Sequence, residues 1–150
     1  MRTLNLVIRI KRELLSPRFD GYHVARRNYF FGRFISYCGL YPDYSIRLFD
    51  RRFGAFNETP VHESFQIDYE TDNLKNHMNH IAYESVNEFY KKQKEYADLS
   101  TKKRNLLKAL ISPIWVFFKI YFLKLGFLEG WRGIVIAVVY SLYTFRKYSK

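Results

Sequence analysis

The chain has 150 residues, 48% of them hydrophobic and 19% aromatic, and a net charge of +11; this is enough apolar material for a domain with a real core, which excludes an intrinsically disordered chain. A single cysteine, Cys38, excludes an internal disulfide, and no Cys/His pairs stand at zinc-finger spacing, so the composition suits a reducing setting. The charge is unevenly spread: residues 1–100 hold 15 Lys and Arg against 13 Asp and Glu, whereas residues 101–150 hold 10 against Glu129 alone.

The opening stretch to Leu15 reads as a helix, and Arg9 and Lys11 interrupt its apolar run, unlike the centre of a secretory signal, so export is not expected. SPRFDG (16–21) supplies the Pro and Gly of a loop. From Tyr22 to Ile67 the pattern turns to period two. Ile46 and Leu48 alternate with Ser45 and Arg47, and in VHESFQI (61–67) Val61, Glu63, Phe65 and Ile67 share one face opposite His62, Ser64 and Gln66. Both segments are expected to be strands, with FGAF (53–56) following the first through a tight turn at Gly54. DYETD (68–72) reads as an acidic, solvated loop, and Asp43 after Pro42 as a turn residue or a partner that orients Arg47. Ser85 with Glu88 forms a capping box ahead of a helix from Val86 to about Leu99, and Ser112 with Pro113 marks a second helix start, ending near Gly126. A glycine-rich turn, GFLEGWRG (126–133), then leads into a last apolar helix whose basic end, FRKYSK, suits the negative pole of the helix dipole.

The most basic third is also the greasiest. ALISPIWVFF (109–118) and GIVIAVVYSLYTF (133–145) carry no charge, and cations beside aliphatic runs point to a membrane surface with anionic lipid; a nucleic-acid partner is not expected, because it would call for basic residues on a soluble face. Each run falls short of the ~20 residues of a transmembrane helix, which favours interfacial or re-entrant placement, with a pair of core helices as the rival. Trp115, Tyr121 and Trp131 would sit at headgroup level while Lys119 and Lys124 snorkel to the lipid phosphates.

No P-loop, GxSxG, HExxH or GxGxxG occurs. What the chain does contain is the run RRNYFFGRFISYCGLYPDYSIRLFDRRFGAFNETPVHE (26–63), His80 ahead of the capped helix, FFKIYFLKLGFLEGWRG (117–133) and KYSK (147–150), in one order across residues 18–150. In these motifs it resembles the lipopolysaccharide-core branch of the family 2 glycosyltransferases, the WaaE/KdtX-like group. The resemblance implies an α+β fold: residues 1–100 as the acceptor-side portion of a GT-A-like domain with short mixed strands, residues 101–150 as amphipathic, membrane-associated helices. It implies transfer of a sugar from a nucleotide-sugar donor to a lipopolysaccharide-core or lipid-linked glycan acceptor at the cytoplasmic face of the bacterial inner membrane. Such enzymes begin with a nucleotide-binding half whose Asp-x-Asp holds a divalent metal, Mg²⁺ or Mn²⁺. No Asp-x-Asp occurs here, so the chain is expected to be the later portion of a longer enzyme, or to work with a separate N-terminal half.

Inverting transfer needs a carboxylate to take the acceptor hydroxyl proton. By the resemblance that base is Glu63; on chemistry alone His62 is base or metal ligand, and alternation puts the two on opposite faces. Arg47 would meet diphosphate oxygens or hold Glu63, or form a structural ion pair. Arg26, Arg27 and Asn28 open a segment crossing close to the acceptor site, where aromatic faces stack on sugar and cations meet a phosphorylated glycolipid. His80 would ligate metal or touch phosphate, unless it is a buried, satisfied histidine. A non-catalytic membrane-bound adaptor is the alternative function.

Overall fold

A computed structural model describes residues 2–50, 52, 54–56, 65–67, 70–100 and 102–150. The expected class holds: the fold is α+β, with helices and a small sheet. In chain order the elements are α1 (Arg2–Leu15), β1 (Gly21–Phe30), β2 (Arg33–Phe34), β3 (Asp43–Phe49), β4 (Gly54–Phe56), β5 (Phe65–Ile67), β6 (Thr71–Tyr83), α2 (Val86–Asp98), α3 (Leu106–Phe118) and α4 (Trp131–Ser149). A π-helical turn, Lys119–Leu123, extends α3, and a 3₁₀ turn, Gly126–Glu129, precedes α4. β1 is the hub of the larger sheet. Its first residues pair with β3 and its last two with β2, both antiparallel, and β6 pairs with it as well. Asp20 N–H donates to the Glu70 carbonyl where β1 and β6 begin and Phe31 N–H to the Tyr83 carbonyl where they end, partners that ascend together, so that pair is parallel. β4 and β5 form a separate antiparallel pair with Ala55 opposite Gln66.

The chain divides into two compact units, Met1–Arg27 with Pro42–His80, and Asn28–Tyr41 with Ile81–Lys150. In the first, Tyr22, Val24 and Leu74 are buried, and Leu6 and Ile10, one turn apart on α1, pack against them with Leu48 and Met78. Glu13 is buried at the end of α1 because it has partners: it accepts from the Tyr22 hydroxyl at 2.8 Å and pairs with Arg9 one turn earlier at 2.8 Å. The Tyr22 hydrogen bond, more than the arginines, holds its carboxyl below the ordinary glutamate value.

In the second unit Phe89 of α2 is the centre of an aromatic cluster. It meets Phe30, Tyr83 and Tyr140 at ring distances of 5.3, 4.6 and 5.4 Å, and Ile136 and Val139 of α4 complete the core. The Ser85 cap forms as its residue types require, with the Ser85 hydroxyl accepting from Glu88 N–H at 3.1 Å; the Glu88 carboxylate takes the N–H of Glu84.

Two expected boundaries are corrected. Ser112 is not a helix cap: α3 begins at Leu106, capped by Asn105, whose side chain accepts from Lys108 N–H at 2.9 Å, and Pro113 lies inside the helix. Leu106, Leu107, Ala109 and Leu110 are good helix formers, so the helix extends back past Ser112, and Pro113 costs it the bond to the Ala109 carbonyl. The acidic loop expected over 68–72 is also too long, because Thr71 already belongs to β6. TDNLKNHMNHIAY has few strand formers, and pairing with β1 together with burial of Leu74 outweighs its weak propensity. Of the strand expected over 61–67, residues 61–64 lie outside the described residues and Phe65–Ile67 are extended.

α3 and α4 form an antiparallel hairpin. At its open end Asn105 N–H donates to the Tyr148 carbonyl at 2.9 Å, and Arg146 grips Asp98 with two bonds of 2.6 and 3.0 Å while Lys150 pairs with the same carboxylate. Its closed end is a tight turn in which Leu125 and Gly130 take left-handed backbone angles.

Candidate functional site

In the first unit the β1–β3 register places Arg26 opposite Asp43, so the two side chains share a face and pair at 2.6 Å. Asp43 is therefore not a plain turn residue: it opens β3 and is a partner of Arg26. A bulge falls just beyond, where Tyr22 faces Leu48 and His23 faces Ile46, leaving Arg47 as the extra, exposed residue. His80, near the end of β6, lies within electrostatic reach of this group. Burial first, then the charges of Arg26 and Arg47, lower its pKa, and Asp43 acts the other way. Three of the expected site residues, Arg26, Arg47 and His80, are thus within electrostatic reach of one another, with Arg26 held by Asp43.

His80 gives a direct readout. Because folding lowers its pKa, the neutral form is favoured in the fold: the associated stability is present above the unfolded value of ~6.5 and is lost as pH falls toward the folded value. An NMR titration of the imidazole should show a depressed midpoint that moves up in Arg47→Ala and further down in Asp43→Asn. A midpoint indifferent to both substitutions would separate His80 from the cluster.

The remaining expected residues are placed as follows. Arg27 is half-buried on the opposite face of β1 from Arg26. Asn28 is buried and its amide donates to the Leu40 carbonyl at 3.0 Å, clamping the segment after β2. Glu63 and His62 lie outside the described residues. Among the described residues no three His, Cys, Asp or Glu side chains gather to hold a metal.

The second unit carries the apolar surface. On α3, Leu107, Ile111, Ile114, Phe118 and Phe122 recur at helical spacing and are exposed, Ile114 at 72%. On α4 a second stripe, Trp131, Ile134, Val138, Leu142 and Phe145, is exposed along the whole helix. Trp115 is exposed and stacks on Phe118, Tyr121 stacks on Phe117, and Lys119 is exposed. Trp131 is half-committed: one face stacks on Phe31 at 5.7 Å, and the guanidinium of Arg132 lies 4.6 Å from the ring centre. Lys124 lays its methylenes beside Gly39, and its carbonyl accepts from Cys38 N–H.

Sequence reading pointed to the 133–145 run as a surface but missed the role of Glu129. That carboxylate is buried and accepts the N–H groups of Ser36 and Tyr37 at 2.7 and 3.0 Å. The available signal was its isolation, as the lone acid among ten cations. The Cys38 thiol beside it is pushed up to about 12 by burial first and by the Glu129 charge second, so it is an inert core group. Compared with known proteins, the chain matches no family model and no solved structure.

Proposed function

We propose that the chain is the acceptor-side portion of a membrane-associated glycosyltransferase, transferring sugar from a nucleotide-sugar to a lipopolysaccharide-core or lipid-linked glycan at the cytoplasmic face of the inner membrane. The observation that carries the reading is the pair of exposed apolar stripes on α3 and α4, set among the cations of the last fifty residues, which suits an enzyme whose acceptor is a lipid. The cluster of Arg26, Arg47 and His80 supports contact with phosphoryl oxygens of donor or acceptor. In the reaction the acceptor oxygen attacks the anomeric carbon as a base removes its proton, and the sugar–phosphate bond breaks with its electrons leaving on the diphosphate. The resemblance assigns the base to Glu63, with His62 as its rival. Among the described residues no three metal-ligating side chains gather, and no step is routed through a metal on this chain.

A non-catalytic membrane adaptor remains the second reading, favoured by the commitment of Arg26 to Asp43 and of Asn28 to Leu40. The two part on a transfer assay in membranes of the source cell, where any separate donor-binding half is also present. With Glu63→Gln in place of the native chain, incorporation of labelled sugar into glycolipid should fall by ~10²–10⁴. If the larger loss follows His62→Ala, histidine is the base. Unchanged incorporation in both variants would support the adaptor.

A further inference from the structure

We infer that the α3–α4 hairpin lies flat in the bilayer interface as an in-plane anchor and does not cross the membrane, an inference that rests on the membrane reading above and adds its geometry. By length and composition alone the opposite is open: the helical stretch Leu106–Leu123 has a mean hydropathy of 1.7 and is the one stretch among the described residues that meets the criteria for a span. At 1.5 Å per residue it would cover ~27 Å, close to a hydrocarbon core of ~30 Å. The fold forbids that use, because both ends of the stretch are tied to the same compact unit. At the start, Asn105 is bonded to Tyr148, and Asp98 of α2 holds Arg146 and Lys150. At the finish, the Lys124 carbonyl takes the N–H of Cys38, and Glu129 takes those of Ser36 and Tyr37. A spanning α3 would carry the 36–40 segment to the far side of the membrane and strip backbone groups of their partners on the way.

The shape of the apolar surface agrees. Each stripe runs from one end of its helix to the other, with Leu106, Leu110 and Trp115 widening the exposed apolar surface of α3, and an axis parallel to the surface immerses this whole length at one depth. The opposite side of α4 is occupied, since Ile136 and Val139 pack on Phe89, and beyond them α2 exposes Lys91, Lys92 and Lys94. A lipid headgroup layer, and not a second copy of the chain, fits the charge. Lys108 and Lys119 stand about three turns apart on one flank of the α3 stripe, and the single acid of the last fifty residues, Glu129, is buried. Two such faces brought together would repel; anionic lipid neutralises them.

The two tryptophans of the chain are placed to decide the matter, because Trp115 sits near the middle of the candidate span and Trp131 at the start of α4. The wild-type protein bound to phosphatidylglycerol-containing vesicles should lose more fluorescence to lipids brominated high on the acyl chain than to those brominated near its end. Trp131→Phe should isolate the same result for Trp115. Leu107→Trp and Phe122→Trp, each with Trp115→Phe and Trp131→Phe, should report one shared depth of ~5–10 Å. Trp115 quenched best from the bilayer centre, with both flanking positions shallow, would overturn the in-plane anchor while leaving membrane binding intact. Failure of the wild-type chain to bind the vesicles at all would overturn the membrane reading itself, and the anchor with it.

Discussion

Ile114→Asp is expected to release the protein from anionic vesicles, lowering its apparent affinity at least ~30-fold and by up to several thousand-fold. The removed side chain contributes ~2 kcal/mol when it enters an apolar phase, and a carboxylate carried toward the hydrocarbon costs up to ~3 kcal/mol more. Ile114 is the most exposed apolar residue of α3, so the folded state loses almost no contact, and unfolding should shift by no more than ~0.5 kcal/mol. That combination, large in binding and small in stability, distinguishes a surface used for lipid from one that packs in the core. Lys108→Ala and Lys119→Ala should each weaken binding by ~5-fold on anionic vesicles, the equivalent of ~1 kcal/mol per cation, and should have little effect on zwitterionic ones. Sedimentation isotherms on both lipids would measure all three. An Ile114→Asp chain that binds as tightly as wild type would remove α3 from the contact.

The largest stability loss is expected from Gly133→Ala. A Cβ at Gly133 would stand 1.8 Å from the Gly126 carbonyl oxygen, and one at Gly126 only 2.7 Å from the Ile120 carbonyl oxygen. Both obstacles are backbone, so no rotamer change relieves them; the turn between α3 and α4 would have to open. A cost of ~3 kcal/mol, the upper end for overpacking, follows because the obstacle is backbone, a large share of the ~5–15 kcal/mol by which a domain is stable. Gly32→Ala is the control. Its Cβ would meet open space, but its φ of +76° disfavours any side chain, so a loss of ~1 kcal/mol is expected there. Urea unfolding of both variants would show the contrast, and equal midpoints would contradict the close approach of the turn to α4.

Much of the fold was legible where a single residue carries a local mechanism. Ser85 and Glu88 announced α2 because a hydroxyl three residues ahead of a helical N–H has one good use, and the alternation around Ile46 and Leu48 announced β3. The glycines of 126–133 announced a turn, and the turn is there. Local signals failed where distant partners decide. Pro113 looked like a helix start because proline is good at that position, but Asn105 caps an earlier turn that packing on α4 sustains. β6 was invisible because Asn, Lys and His carry no strand signal, and its state depends on β1.

The candidate site was legible in the same uneven way. Arg26, Arg47 and His80 were singled out from separate motifs and are gathered by the β1–β3 register and the neighbouring β6. Asp43 was assigned locally as a turn residue, and only the register shows that it faces Arg26. Counting uncharged residues pointed to the interface rather than a span, yet the reason a span fails is not a count. It is the set of long-range bonds through Lys124 and Glu129, which join residues some ninety positions apart in the chain.

The membrane role of the C-terminal helices is tested most directly by flotation of the unmodified chain with lipid vesicles through a density gradient. With phosphatidylglycerol in the vesicles and ~0.1 M salt the protein should rise with the lipid. Replacing that lipid with phosphatidylcholine, or raising salt to ~1 M so that the screening length falls from ~10 to ~3 Å, should recover much less protein without abolishing binding, since the apolar stripes remain. A chain that stays at the bottom of the gradient with anionic vesicles at low salt would contradict the role.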